Sequence, residues 1–347
     1  PVWLEAGGVR TDQTSGIAFV RRSGTQLTFL ACDDVGAIHR LQLDEADKKR
    51  GTKRTTGDGW MTISPIAIPD PIKERLGTGP AKLDLEEIAV HGQGILLSVE
   101  GNRTDEEEVT NPRAHEGRIG LFFIELNAPP ATATTVAAAH PIPILNIDWP
   151  APLDPPAQRP ELTALPVAGM APNRSFEGVA YGSVPGTDNG GQPTSFSVFY
   201  LAPEEPYPAD DLIPQAWRGA LPIYRVVLAQ VPVIRPQVLP AAVGLASVTG
   251  MALTPDQSRL FLVDRNRQRI HRCTLNAAGD IVTVETAPLD LRGPSGERYL
   301  VPSLESITVD DRGVLWAVVD PWQYRAIPEQ GKPLSRAELD RYQALVP

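Results

Sequence analysis

Glu177-Gly-Val-Ala-Tyr181 is the stretch on which the fold turns. It reads polar, small, aliphatic, small, apolar, and the same order recurs along the chain. Ser15-Gly-Ile-Ala-Phe19 and Glu86-Glu-Ile-Ala-Val90 precede it; Thr249-Gly-Met-Ala-Leu253 and Glu305-Ser-Ile-Thr-Val309 follow. Self-similarity of this kind is the signature of a repeat architecture.

Each copy leads into a second apolar run that closes on an acid. These acids are Asp33, Glu100, Glu204, Asp264 and Asp320. A third run follows, often aliphatic, then aromatic or His, then Arg: Ile38-His-Arg40, Ile223-Tyr-Arg225 and Ile270-His-Arg272, with Gln323-Tyr-Arg325 a weaker copy. Short β-branched and aromatic runs bounded by Gly, Pro, Asn and Asp are strands with turn punctuation. Three or four strands per unit, repeated around a ring, make an all-β protein of the β-propeller type. The reading is a five-bladed β-propeller built by residues 1–347 as a single domain. The alternative is six blades, the extra one lying between the second and third copies. The intervals exceed the ~40–50 residues of a typical blade, so insertions are expected at about 48–80, 128–172 and 185–195. Val2-Trp-Leu-Glu5 is a candidate closing strand. Ser335 and Glu338 form a capping box that opens a short C-terminal helix to about Leu345.

Equivalent positions of a repeat occupy equivalent places in space. The first residues of the five copies, Ser15, Glu86, Glu177, Thr249 and Glu305, should therefore ring the axis. The next residue is small in four copies (Gly16, Gly178, Gly250, Ser306), with Glu87 the exception. A lone Glu ahead of a strand is ordinary; three carboxylates and two hydroxyls at matched positions are not. Like charges held close raise each other's pKa or demand a counter-ion. An all-oxygen donor set selects a hard ion, Ca²⁺ ahead of Mg²⁺ or Mn²⁺. The acids that end the second strands are turn formers first, and Asp33-Asp34 and Glu100-Gly-Asn102 are the ones placed to support the metal ligands or to contact substrate. Arg40, Arg225 and Arg272 read as blade-to-blade ion pairs. Arg103, Arg174, Arg265 and Arg267 lie beside the acidic strand ends, on the surface or within reach of a phosphate.

Composition narrows the function. The 347 residues hold 32 Lys and Arg against 42 Asp and Glu, a net charge of −10. Such a chain lacks the excess of cations that binds nucleic acid or an anionic membrane surface. An anionic substrate would need a cation between. Two cysteines, Cys32 and Cys273, exclude a disulfide scaffold and a four-cysteine zinc site. Each sits in an apolar run, as a buried free thiol would. The five histidines show no metal-binding spacing. No uncharged apolar run is long enough to span a bilayer. The expectation is a monomer, secreted or periplasmic, with a cytoplasmic location as the alternative.

The phrases DLEEIAV…LLSVEGN and NRSFEGVAYG…VFYLAPEEP resemble the esterase-like phytase group of bacterial propellers across most of the chain. The ring order Ser, Glu, Glu, Thr, Glu is similar to the axial calcium site of the calcium-activated nucleotidases (apyrases), which are five-bladed propellers. Cys32-Asp-Asp-Val-Gly36 is similar to their first-blade turn. The chain departs from them at Pro203-Glu-Glu-Pro206, where they carry a basic segment. The resemblance implies a calcium-dependent hydrolase of phosphate esters or anhydrides, reaching a small anionic substrate through the metal at the channel mouth. Glu100 or Asp33 would be the base for water. The alternatives are a ligand- or protein-binding propeller with a structural calcium, or a calcium-dependent lactonase or esterase.

Overall fold

The computed structural model describes residues 5–6, 9–10, 14–47, 61–77, 83–101, 104–111, 113–146, 161–162, 164–167, 170, 175–187, 193–209, 213–228, 232–289, 291–292, 298–299 and 304–319. The expected N-terminal closing strand lies almost wholly outside them. So do the C-terminal helix, Asp320, and Arg103, Arg174 and Arg325.

Four antiparallel four-stranded sheets follow one another along the chain. Blade one is Thr14–Ser23, Gln26–Asp33, Ala37–Asp44 and Met61–Ile66. Blade two is Leu85–His91, Gly94–Val99, Gly120–Leu126 and Val136–Pro141. Blade three is Phe176–Thr187, Pro193–Pro203, Pro222–Leu228 and Val233–Val238. Blade four is Gly250–Leu253, Arg259–Asp264, Arg269–Leu275 and Ile281–Pro288. The fifth copy of the repeat is seen only as the two-stranded sheet Leu304–Val309 and Leu315–Val319. Among the described residues there are thus four complete blades where the sequence reading expects five.

In each sheet the strands add outward in chain order, so the strand carrying the repeat is innermost. These innermost strands touch one another in cyclic order, the last packing against the first. They enclose an axial cavity of about 130 Å³ lined by three consecutive residues from each, 17–19, 88–90, 179–181, 251–253 and 307–309.

The aliphatic-small order of the repeat has a packing reason. Successive side chains of a strand point to opposite faces, and in a ring those faces meet different neighbours. The aliphatic residue meets the preceding blade. Ile88 packs with blade one, Val179 with blade two, Met251 with blade three, Ile307 with blade four, and Ile17 with the fifth sheet. The small residue meets the following blade: Ala18, Ala89, Ala180 and Ala252 each join that core. The protein is therefore held by separate apolar cores, one per blade interface. Gln26–Asp33, the second strand of blade one, is covered on both faces and buried at every position after the first. Cys32 and Cys273 are free and buried, each in one of these cores.

Several expectations change here. Residues 48–80 are not simply an insertion, because Met61–Ile66 is the outer strand of blade one. Its Pro65 disguises it, yet proline is tolerated on an edge strand, where no ladder bond is lost. The insertion at 185–195 shrinks to a hairpin tip, since Pro185↔Ser195, Gly186↔Thr194 and Thr187↔Pro193 are paired. Two short helices, Asp70–Leu76 and Asp105–Thr110, are unanticipated. The second is opened by a capping box from Thr104 to Glu107. No helix among the described residues is long and apolar enough to cross a membrane.

The ring is closed by polar contacts between residues nearly the whole chain apart. Ile17 N–H donates to Ser306 Oγ at 3.2 Å and Phe19 N–H to Thr308 Oγ1 at 2.9 Å. Glu87 belongs to the same clasp. Its two carboxyl oxygens accept from Ser306 Oγ at 2.8 Å, reaching past Gly16, where a Cβ would lie 2.9 Å from Glu87 Oε1. The missing small residue of blade two is thus accommodated by the glycine of blade one. At the far end of the seam Arg22 pairs with Asp310 and Asp311, each at 2.7 Å, and with Glu45. Asp310 is fully buried and also accepts from Trp316 Nε1 at 3.1 Å. Arg22→Ala leaves that carboxylate short of its cation. It should lower unfolding free energy by about 2 kcal/mol, the cost of a lost charged hydrogen bond, measured by urea denaturation.

Candidate metal centre

The inner strands all enter from one end, and the side chains at their entry gather acids. Ser15, Glu177, Thr249 and Glu305 are buried there, and Glu86 is partly buried. Asp34, in the turn after the second strand of blade one, accepts from Ser15 Oγ. Oxygens of Asp34, Asp84 and Glu86 lie within 4.8 Å of one another, a spacing that can hold a metal ion. Glu86 in turn shares a side-chain hydrogen bond with Glu100, whose Oε1 accepts from Ser175 N–H at 2.9 Å. Glu177 feels the fields of Glu204, Glu305 and Glu100. Arg265 closes the series, its guanidinium pairing with both Glu204 and Glu305. Thr249 Oγ1 donates to the Leu304 carbonyl at 2.7 Å, linking blade four to the fifth sheet.

The electrostatics follow from crowding in a dry place. Burial, then repulsion from Glu100 and Glu177, pushes the Glu86 carboxyl well above its ordinary range. Burial and the charge of Glu204 do the same to Glu177, opposed by Arg265. Burial raises Glu100 to about 8, against the pull of the Ser175 N–H. Burial lowers the Arg265 pKa, but Glu305, Glu177 and Glu204 outweigh it and hold the guanidinium above its usual value. Without a further cation, Glu100, Glu86 and Glu177 all hold their protons more tightly than an ordinary carboxyl does. A divalent ion would displace those protons.

Asp33 sits apart from this exchange. Its Oδ1 accepts from Ala37 N–H at 2.8 Å and its Oδ2 lies 3.2 Å from His39 Nε2. Blade four repeats the arrangement. Asp264 accepts from Ala246 N–H, Ser247 Oγ and Arg267 N–H, with His271 Nε2 at 3.6 Å. These pairs brace turns, and the one at Asp33 braces the turn that carries Asp34. Of the third-strand arginines, Arg225 reaches across blades to Asp280 at 3.3 Å and Arg40 to the Ala133 carbonyl at 2.7 Å. Arg272 instead pairs within its own blade, with Glu285. Sequence reasoning gave Asp34 a supporting or substrate-contact role and not that of a donor, and it missed Asp84 as a donor and Arg265 as a partner of the acids. Asp84 was visible as the acid two places before Glu86; the role of Arg265 depends on blade contacts that no spacing encodes.

No protein-family model matches the sequence, and no curated protein does. Several solved structures share the outline. The PQQ-bound aldose sugar dehydrogenase from Streptomyces coelicolor is 11% identical, with 95% of each chain covered and a TM-score of 0.38. The streptogramin B lyase structure is 10% identical, covering 89% of this chain and 91% of that one, with a TM-score of 0.36. A calcium-binding protein, regucalcin, from Agrobacterium tumefaciens is 13% identical, covering 93% and 73%, with a TM-score of 0.31. These are β-propellers. Likeness at this level carries nothing about the activity of this chain, and its fold rests on its own strand order and ring of contacts.

Proposed function

We propose that this chain is a five-bladed propeller that binds a divalent hard cation, calcium first, at the acidic end of its axis and hydrolyses neutral carboxylic esters, lactones included, at that mouth. The observation that carries the reading is the convergence of Asp34, Asp84 and Glu86 oxygens within 4.8 Å of one another. The donor set fits such an ion. It is all oxygen, and Ca²⁺ takes ~6–8 oxygens, so a water or a substrate carbonyl has room to join. A cation bound there would polarise a carbonyl and lower the pKa of water.

The protein's own residues do the rest. Asp34, Asp84 and Glu86 would hold the ion, with the charge of Glu177 close to Glu86, and Ser15 orients Asp34 through its hydroxyl. Glu100, which shares a hydrogen bond with Glu86 and accepts from the Ser175 N–H, would be the base for water. Asp33 supports the turn beneath Asp34 rather than touching substrate. Charge decides between substrate classes. The acids outnumber the cation that meets them, and Arg265 is engaged by Glu204 and Glu305. A phosphate ester approaching this mouth is repelled, whereas a neutral ester is not.

The test is a panel of γ- and δ-lactones, p-nitrophenyl acetate, p-nitrophenyl phosphate, phytate and ATP, with and without chelator. Lactone or ester turnover lost on chelation is expected. Glu177→Gln should reduce it by on the order of 100-fold while the far-ultraviolet circular dichroism is kept. Turnover of the phosphates alone would replace the ester reading. Calcium binding with no turnover of any substrate would make the protein a binding module.

A further inference from the structure

Ser175 lies two residues before Glu177, as Ser247 lies two before Thr249. Both are buried, Ser175 at 1% and Ser247 at 0% exposure. In blade four the Ser247 hydroxyl is fully used. It donates to Asp264 Oδ1 at 3.2 Å and accepts from Asn266 N–H at 3.0 Å. In blade three the Ser175 hydroxyl has no hydrogen-bond partner. The acid that corresponds to Asp264 is Glu204, which ends the second strand of blade three. Its N–H still donates to the Ser175 carbonyl at 2.9 Å, but its carboxylate is committed to Arg265 of the next blade. The nearer oxygen of Glu100 is taken by the backbone N–H of Ser175 itself. A buried hydroxyl with no partner is a costly feature in a folded protein. Here it occurs on the residue whose backbone N–H binds Glu100, and not in the equivalent place one blade on.

We propose that Ser175 Oγ is a neutral oxygen ligand of the axial cation, added to the carboxylates of Asp34, Asp84 and Glu86, with Glu100 left as the base. The proposal rests on the reading of that mouth as a divalent-cation site. It also gives Arg265 a second role: by drawing Glu204 away, it frees the hydroxyl for the ion.

The experiment is calorimetric titration of CaCl₂ into chelator-stripped wild type, Ser175→Ala and Ser175→Thr, with melting temperatures measured in EDTA. Ser175→Ala should weaken calcium about tenfold, in the range seen when a supporting donor of a metal site is lost. Its melting temperature in EDTA should match or exceed that of wild type, because an orphaned hydroxyl has been removed. Ser175→Thr, which keeps the oxygen, should bind within about threefold of wild type. Calcium affinity of Ser175→Ala within twofold of wild type would overturn the ligand role and leave the cation site standing. A Ser175→Ala protein that melts well below wild type in EDTA would overturn it in favour of a structural role. A wild type that binds neither Ca²⁺, Mg²⁺ nor Mn²⁺ would remove the cation site and the Ser175 proposal together.

Discussion

Stripped of divalent ions, the protein should lose thermal stability as pH rises from about 5 to about 8, and calcium should abolish that loss. The sign follows from the buried acids. Glu100 has a folded-state pKa raised from 4.5 to about 8, and burial drives Glu86 and Glu177 upward too. A carboxyl with a raised folded pKa holds its proton more tightly when folded. Its contribution is fully present below the unfolded pKa and is lost as pH climbs through the folded one. For Glu100 alone the window of 4.5 to about 8 corresponds to at most about 5 kcal/mol. In a protein of this size that is roughly 10 °C of melting temperature. Calcium competes with the same protons, so its affinity rises over the same window. Melting curves in EDTA and in CaCl₂, at half-unit pH steps, measure both effects. Glu100→Gln should flatten the EDTA profile. An EDTA profile that instead rises from pH 5 to pH 8 would show that these acids are ionised without a metal.

The second large effect belongs to Arg265. Its guanidinium bridges Glu204 of blade three and Glu305 of the fifth sheet, and Glu177 adds to its field. Arg265→Met keeps much of the volume and removes the charge. Removing one partner of a buried ion pair typically costs about 3–5 kcal/mol, because the remaining charges stay buried without compensation. The variant should therefore be destabilised by that amount at pH 8 in EDTA, read by urea denaturation. Arg265→Lys should recover only part, since one ammonium cannot reproduce a fork that serves two carboxylates. An Arg265→Met protein as stable as wild type at pH 8 would mean that the pairing contributes nothing.

What the sequence disclosed is what the repeat copied. The innermost strands could be found because aliphatic and small residues recur wherever a strand must pack against two unlike neighbours, as Ile88 and Ala89 do. Glu86, Glu177 and Glu305 were found by the same logic. Features that occur once were hidden. Asp34 contributes from a turn that the repeat does not conserve in form. Arg265 belongs to blade four yet serves acids of its neighbours, and Glu87 makes sense only with Gly16 beside it. Met61–Ile66 was concealed by Pro65, whose turn-forming reputation outweighs its tolerance at a sheet margin. Local chemistry is written in a stretch of chain; partnership across blades is written only in three dimensions.

The seam between the first inner strand and the fifth sheet joins residues 289 positions apart. A ribosome adding about 5–20 residues per second needs roughly 15–60 s to cover that distance. Throughout this delay one flank of blade one has no neighbour, and the apolar side of Ile17, Phe19 and Phe29 waits in water. A nascent chain of this design is exposed to premature association until the sheet of Leu304–Val309 and Leu315–Val319 emerges.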